Sequence, residues 1–204
     1  EEEKLILFVD IENIAGATTL NITGNRVQNV TTSNTSTGAW RGITQAIAST
    51  STVNILNNVI TNNNTGSSGL FAPIICATAA TININGNSIL NNAFLTSVSS
   101  NFISAGGIAA SVVSVNNNTI SDNLLNGAFG TATINGITTG TGYTSLTVTG
   151  NRILNNGPTN VVNTSAITLV GINATGTGAA ITETIQSNII DGLYIKGLGV
   201  PAVL

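Results

Sequence analysis

Short stretches of alternating apolar and polar residues run through most of this chain, and near-copies of one such stretch recur along it. Alternation with a period of two is typical of β-strands, and no stretch shows the i, i+3, i+4, i+7 pattern of an amphipathic helix. The sequence therefore predicts an all-β fold. The copies share the frame apolar-x-apolar-x-(Gly, Asn or Ser)-Asn-x-apolar-x-(Asn or Asp), and they begin at Leu20, Val53, Ile82, Val113, Leu146 and, in a weaker form, Thr184.

Each copy changes phase at its centre. In the first copy Leu20 and Ile22 alternate as strand residues do, but the alternation resumes one position out of step at Val27. A shift of one residue within a strand indicates a bend, where Gly or Asn can adopt left-handed backbone geometry. We therefore predict that the chain turns a corner at Gly24 and Asn25, and at the corresponding position of every copy.

The asparagine at the centre of each copy forms a column whose members lie 29 to 37 residues apart. Short strands repeated at this interval predict a solenoid, here a right-handed parallel β-helix of about six to seven coils of about 31 residues. Buried amides are costly without partners, so we expect this column to form a ladder of hydrogen bonds between coils. The predicted ladder residues are Asn25, Asn58, Asn87, Asn118, Asn151 and Asn188.

The ends of the chain differ in pattern from its middle. Residues 1–19 carry a charged lead-in and one alternating stretch, which predicts an N-terminal strand that is either a cap or the first coil. Residues 20–204 are assigned to the β-helix repeats. The chain contains no methionine and no signal-peptide core, and its apolar runs are too short to span a membrane. We expect a secreted protein, extracellular or on the cell surface, whose signal peptide has been removed.

A second polar column is expected four residues after the first. Its two acids suggest glycosidase chemistry, since such enzymes use two carboxyl groups about 5 to 10 Å apart. Two coils would separate Asp122 from Asp191 by about 10 Å. Aspartate replacing asparagine at a turn is the alternative, and it is the one that we favour. The column comprises Asn29, Asn62, Asn91, Asp122, Asn155 and Asp191.

Composition excludes several classes of function. Charged residues make up only 6% of the chain, against about 25% in an ordinary soluble protein. The five basic residues form no cluster, which argues against nucleic acid as a partner. The chain has no histidine, so a Ser-His-acid site and a histidine metal site are excluded. We predict no catalytic, cofactor-binding or metal-ligating residue and no cofactor.

Two further residue types have ordinary interpretations. The one cysteine, Cys76, lies in an apolar run, which predicts a small buried side chain; an intermolecular disulfide is the alternative. Several Asn-x-Ser/Thr sequences occur in this Asn- and Thr-rich chain. Those at Asn34 and Asn163 fall in predicted loops and are the best candidates for glycosylation.

The stacked frame with its corner asparagine resembles the right-handed parallel β-helix repeat of pectate-lyase-like proteins, over roughly residues 20 to 195. The Asn/Thr-rich coils and Gly-Ile steps are most similar to non-enzymatic bacterial surface members, such as autotransporter passengers and polymorphic outer-membrane proteins. Enzymes of this superfamily carry clustered Asp, Arg, Lys or His on one sheet, and this chain departs from that pattern. The resemblance therefore implies a protein that is not an enzyme. The steps are Gly42-Ile43, Gly107-Ile108, Gly136-Ile137 and Gly171-Ile172.

The leading hypothesis is a secreted structural or adhesive β-helix that associates head to tail with copies of itself, forming a filament, sheath or surface layer. Solenoids need caps to cover their cores and unpaired strand edges. This chain, however, stays apolar to its last residue, in GLYIKGLGVPAVL. The candidate assembly residues are Leu5, Leu7, Leu198, Val200, Val203 and Leu204.

Two other hypotheses remain. A carbohydrate-binding or polysaccharide-cleaving β-helix, with surface glycans as partners, predicts stacked aromatic side chains. Only 4% of residues are aromatic, and Trp40, Tyr143 and Tyr194 do not share a repeat column. A flat face that orders ice or mineral needs Thr-x-Thr pairs in register across the coils. Such pairs occur at Thr147 and Thr149 and at Thr182 and Thr184, but most copies lack them.

Overall fold

A computed structural model describes residues 6–11, 19–32, 37–45, 49–66, 68–77, 79–106, 111–128, 132–157, 167–176 and 181–193. These residues form 22 short strands and no helix. In chain order the strands are β1 Ile6–Ile11, β2 Thr19–Thr23, β3 Arg26–Gln28, β4 Thr31–Thr32, β5 Trp40–Gln45, β6 Ser49–Leu56, β7 Val59–Thr61, β8 Asn64–Thr65, β9 Phe71–Cys76, β10 Ala79–Asn85, β11 Ser88–Leu90, β12 Ala93–Thr96, β13 Ser100–Ala105, β14 Ser111–Asn116, β15 Thr119–Ser121, β16 Leu124–Ala128, β17 Ala132–Thr139, β18 Tyr143–Thr149, β19 Arg152–Leu154, β20 Ile167–Asn173, β21 Thr182–Gln186 and β22 Ile189–Asp191.

The strands form four parallel sheets, which we name A to D. Sheet A contains β1, β5, β9, β13, β17 and β20, and sheet B contains β2, β6, β10, β14, β18 and β21. Sheet C contains β3, β7, β11, β15, β19 and β22, and sheet D contains β4, β8, β12 and β16. The chain visits the sheets in the order A, B, C, D and then starts the next coil. This confirms the predicted all-β parallel β-helix, with six successive strands in each of the three larger sheets.

Isoleucine and valine side chains fill the interior in columns. In sheet B, Val53 and Ile55 point inward, and they lie against Ile82 and Ile84 of the next coil. All four side chains are inaccessible to solvent. Burying one such side chain stabilises the fold by about 1.5 to 3 kcal/mol. The stacked columns therefore supply most of the driving force for coil formation.

An aromatic cluster fills the interior of the second to fourth coils. The rings of Trp40 and Phe71 stack with centroids 4.9 Å apart, and those of Phe71 and Phe94 stack at 4.5 Å. Phe102 meets Phe71 and Phe94 edge-on, at 5.8 and 5.6 Å. All four side chains are buried, so these aromatic rings serve the core and do not form a sugar-stacking surface.

Three of the Gly-Ile steps, at Gly42, Gly136 and Gly171, lie in sheet A, where backbone and core come close together. A Cβ atom at Gly42 would lie 2.6 Å from the carbonyl oxygen of Pro73 in the next coil, so glycine permits the close approach. Ile43 pairs with Ile74, and Ile103 pairs with Ile137. In the fourth coil the step is therefore Phe102-Ile103 and not Gly107-Ile108, which lies outside the described residues.

The first four coils hold four strands each, and the last two described coils hold three. The strands of sheet D are short and follow the repeated frame directly, as β8 and β12 do. At the N-terminal end, β1 pairs with β5 as the first strand of sheet A. The boundary predicted at residues 19 and 20 stays a prediction. No helix long and apolar enough to cross a membrane occurs in the part of the chain that the structure describes.

Candidate functional site

The predicted asparagine ladder is present, and we call it the first ladder. The Oδ1 atom of Asn58 accepts hydrogen bonds from the backbone N–H of Asn25 at 2.9 Å and from its Nδ2 at 3.0 Å. The Nδ2 atom of Asn58 donates to the carbonyl oxygen of Ile22 at 2.9 Å and to Oδ1 of Asn87 at 3.0 Å. The same contacts recur through Asn118 and Asn151 to Asn188. The ladder thus links the six coils that the structure describes.

A left-handed residue before each ladder asparagine explains why the amide points inward. This residue has a positive φ, as at Asn57 (54°) and Gly86 (67°). The resulting corner breaks the regular pairing of the strand. The Nδ2 atom of the ladder asparagine then donates to a backbone carbonyl of the preceding coil; for Asn58 this is the carbonyl of Ile22, three residues before Asn25. Without that donor the carbonyl would be buried and unpaired, at a cost of about 1 to 3 kcal/mol. The left-handed residues are Gly24, Asn57, Gly86, Asn117, Gly150 and Ser187.

A second ladder, which the sequence interpretation missed, lies five residues further along in four successive coils. The backbone N–H and Nδ2 of Asn63 both donate to Oδ1 of Asn92, at 3.1 and 2.8 Å. The Nδ2 atom of Asn63 also donates to the carbonyl oxygen of Val27 at 3.2 Å. The sequence carries a signal for this second ladder: in four successive copies, an Asn or Asp is followed directly by Asn. The members are Asn63, Asn92, Asn123 and Asn156, all of them buried.

The second polar column was wrong at its last member. Leu154 pairs with Asp191, so Asp191 lies one position before the column, and Gly192 occupies it with φ 63°. The five preceding members have φ between 53° and 58°. Asp122 is one of these left-handed turn residues, and its carboxylate accepts from Nδ2 of Asn155 at 3.3 Å and from the hydroxyl of Ser121. The two acids therefore do not form the stacked pair that glycosidase chemistry required.

Among the described residues, the ionisable groups of Cys76 and Tyr143 lie in the interior. Cys76 is buried, its Sγ donates to Oε1 of Gln45 at 3.4 Å, and burial raises the pKa of its thiol to about 12. This confirms the prediction of a small buried side chain. The hydroxyl of Tyr143 donates to Oε1 of Glu183 at 2.6 Å. Burial, with this hydrogen bond next, raises the tyrosine pKa.

Titratable side chains are sparse elsewhere. Within the described ranges, no three His, Cys, Asp or Glu side chains come together as metal ligands would. Of the aromatic residues singled out in the sequence, Trp40 and Tyr143 are both buried. In β1, Leu7 pairs with Arg41. Other predicted residues lie outside the described part of the chain: Leu5, Asn34, Asn163, Tyr194, Leu198, Val200, Val203 and Leu204.

The last described coil leaves interior positions open. Ile185 and Ile190 belong to columns whose other members are buried or nearly so, yet each is 46% exposed. Together with Val170, Gly171 and Ile172 they line a cavity of about 670 Å³. In the same coil Glu183 replaces the apolar residue of its column, since it pairs with Leu146.

Comparison with known proteins finds no matching family model, no similar curated protein and no similar solved structure. The functional interpretation therefore rests on the geometry of the ladders, the coil ends and the outer faces.

Proposed function

We propose that the protein is a structural or adhesive β-helix of the cell exterior, and that its copies associate head to tail into a filament, sheath or surface layer. In this proposal it is similar to the non-enzymatic surface members of the pectate-lyase-like β-helices. The observation that carries the proposal is that the first and last described coils present unlike and complementary hydrogen-bonding groups.

The first ladder has a direction, and its two ends complement each other. Every Oδ1 within it accepts from the asparagine of the preceding coil. At the first coil, no described residue donates to Oδ1 of Asn25. At the last coil, the backbone N–H of Asn188 has no acceptor among the described residues. A second copy stacked below would bring these groups together and continue the ladder across the junction.

The sheet edges support the same arrangement. The strands β1, β2 and β3 form one edge of sheets A, B and C, and β20, β21 and β22 form the other. Because every pairing is parallel, the last coil of one copy can pair with the first coil of the next without reversing direction. Such a contact joins unlike surfaces and leaves a free end each time, so it produces an open filament.

Apolar burial would add to the stability of the junction. Ile185 and Ile190 are half-exposed, and a coil stacked on them would cover them as every other coil covers its neighbour. The small number of charged residues fits an assembly in which coils lie directly against one another, since charge repulsion between copies is weak. Secretion is part of the proposal and follows from the resemblance to surface β-helix proteins.

The test uses lysine substitutions in the last described coil of the full chain. Ile190→Lys places a charge in the interior column, whereas the control Ile189→Lys changes the neighbouring residue, which is equally exposed at 46% but lies in the column of Arg26 and Arg152 on the outer face. Light scattering and negative-stain microscopy would measure assembly, and circular dichroism would check folding. We expect wild type and Ile189→Lys to form concentration-dependent oligomers and Ile190→Lys to remain monomeric. A wild-type protein that is monomeric at all concentrations would overturn the proposal.

A further inference from the structure

The outer face of sheet B is a regular array of small uncharged side chains. Each strand contributes three outward residues, and the register of the sheet aligns them in three rows across six coils. Only Leu56 and Val112 among them are not polar. The first row is Thr19, Thr52, Thr81, Val112, Ser145 and Thr182; the second is Asn21, Asn54, Asn83, Ser114, Thr147 and Thr184; the third is Thr23, Leu56, Asn85, Asn116, Thr149 and Gln186.

The spacing of this array is set by the sheet. Neighbouring strands lie about 4.8 Å apart, and outward residues of one strand recur about every 6.6 Å. The two Thr-x-Thr pairs found in the sequence are one row out of step in the sheet, since Thr147 aligns with Thr184 and Thr149 with Gln186. Asn and Ser occupy positions equivalent to Thr, so the first two rows read Thr-x-Asn in the first three coils, then Val-x-Ser, Ser-x-Thr and Thr-x-Thr. A small polar side chain is present in the second row of every coil.

Hydrogen bonds between coils hold part of the array in place. The Nδ2 atom of Asn54 donates to Oδ1 of Asn21, and that of Asn83 donates to Oδ1 of Asn54, both at 2.8 Å. In the third row, Oδ1 of Asn116 accepts from the backbone N–H and the hydroxyl of Thr149, each at 2.9 Å. Side chains that are already ordered lose less conformational entropy on binding. Part of the array is therefore ordered before binding, which favours a rigid partner with a regular spacing of its own.

Charge and aromatic placement restrict the partner further. The 18 positions carry no charged residue, so an anionic membrane or an acidic polymer gains no electrostatic attraction there. Every aromatic side chain whose burial the structure describes lies in the interior, so single sugar rings find no stacking platform on this face. A two-dimensional array of hydroxyl, amide and methyl groups matches a crystal surface better than a single polymer chain.

We propose that the outer face of sheet B binds ice, with the threonine and asparagine side chains anchoring ordered water at the crystal surface. The hydroxyl and amide groups hydrogen-bond water at regular intervals, and the methyl groups of the threonines, together with Val112 and Leu56, limit competing hydration between them. The inference concerns outward side chains of sheet B, whereas the end-to-end contact uses strand edges and interior side chains, so either proposal can fail without the other.

The test measures ice binding by the full chain, through thermal hysteresis and through partition into a slowly growing ice shell. Thr81→Lys places a long charged side chain in the first row. Its matched control is Thr119→Lys, which changes the same residue type, also half-buried, in the outward row of sheet C that contains Arg26 and Arg152. We expect wild type and Thr119→Lys to enter the ice and to slow its growth, and Thr81→Lys to lose most of both effects.

Two outcomes would overturn this proposal. One is exclusion of the wild-type protein from ice; binding to insoluble neutral polysaccharide in the same preparation would then assign the face to that partner instead. The other is equal loss in Thr81→Lys and Thr119→Lys, because the face would then have no special role. Ile190→Lys should retain partition into ice even where it abolishes assembly, which keeps the two proposals distinguishable.

Discussion

Asn57 and Asn58 are neighbours of the same residue type, but they are present for opposite reasons. Asn58 is inaccessible to solvent, and its amide bonds groups in the coils on both sides. Asn57 is exposed and has φ 54°, a conformation that Gly or Ser supplies at the same corner of other coils. Position 57 requires a residue that accepts a positive φ, whereas position 58 requires a carboxamide side chain. Tolerance to substitution should therefore differ sharply between adjacent residues.

The largest effect is expected for Asn118→Ala in the middle of the first ladder. The change removes the acceptor for the backbone N–H and Nδ2 of Asn87, and the donor to the carbonyl of Ile84. Four buried hydrogen bonds of the Asn118 side chain are lost, which should lower the free energy of unfolding by roughly 3 to 6 kcal/mol. Urea denaturation followed by circular dichroism would measure it. The control Asn117→Gly should change stability little, because glycine takes the same backbone conformation at no steric cost. Similar losses in both variants would refute the distinction.

A slightly smaller effect is expected for Asn92→Ala in the second ladder. Its Oδ1 accepts from the backbone N–H and Nδ2 of Asn63, and its Nδ2 donates to the carbonyl oxygen of Ile60. The expected loss is roughly 2 to 5 kcal/mol by the same reasoning, measured in the same denaturation experiment. The control is Asn91→Gly, which changes the left-handed residue beside it (φ 54°). A loss below about 0.5 kcal/mol for Asn92→Ala, typical of surface substitutions, would mean that the second ladder is not structural.

The contrast between the two ladders shows what the sequence could predict. The first ladder was predictable because Asn25 and its counterparts sit inside a frame of alternating apolar residues in every copy. The second was missed because it begins one residue beyond that frame and because Val30 and Leu193 replace asparagine in the outer coils. Asp191 was misaligned for a related reason: the last copy ends in Asp-Gly, and only the strand register shows that Gly192 takes the turn.

Other parts of the fold depend on contacts that no local pattern encodes. Strands of two residues such as β8 are too short to show alternation, so sheet D could not be distinguished from loop. The outer array of sheet B also depends on register, since Thr52 and Thr81 are unrelated in the chain until their strands pair. Nothing in the sequence pattern marks Ile190 as exposed, because its column is buried in every other coil.

An intermediate effect is expected where alanine enters the left-handed corner. Gly86→Ala should lower the free energy of unfolding by about 1 to 2 kcal/mol, because left-handed geometry brings a Cβ atom too close to the following carbonyl oxygen. The new Cβ would also contact Oδ1 of Asn57, whereas at Gly24 no atom lies within 4 Å. Gly24→Ala should therefore cost somewhat less. Gly86→Asn should be milder than Gly86→Ala, since asparagine tolerates this conformation. Thermal unfolding of the three variants would measure the order, and an alanine variant as stable as wild type would contradict it.

The smallest effect is expected for Asp122→Asn, which tests whether the carboxylate has any role beyond the turn. Asparagine keeps the acceptor oxygen for Nδ2 of Asn155 and tolerates φ near 57°, as four other members of the column do. The free energy of unfolding should stay within about 0.5 kcal/mol of wild type, as for most surface substitutions. Asp122→Ala is the informative partner, because it keeps neither property and should cost about 1 kcal/mol or more. If Asp122→Asn instead abolished a polysaccharide-cleaving activity of the wild-type protein, the carboxylate would be a reacting group. A left-handed turn residue would then have a chemical role, and the distinction between ladder asparagines, which bond neighbouring coils, and turn residues, which only set the backbone conformation, would no longer hold.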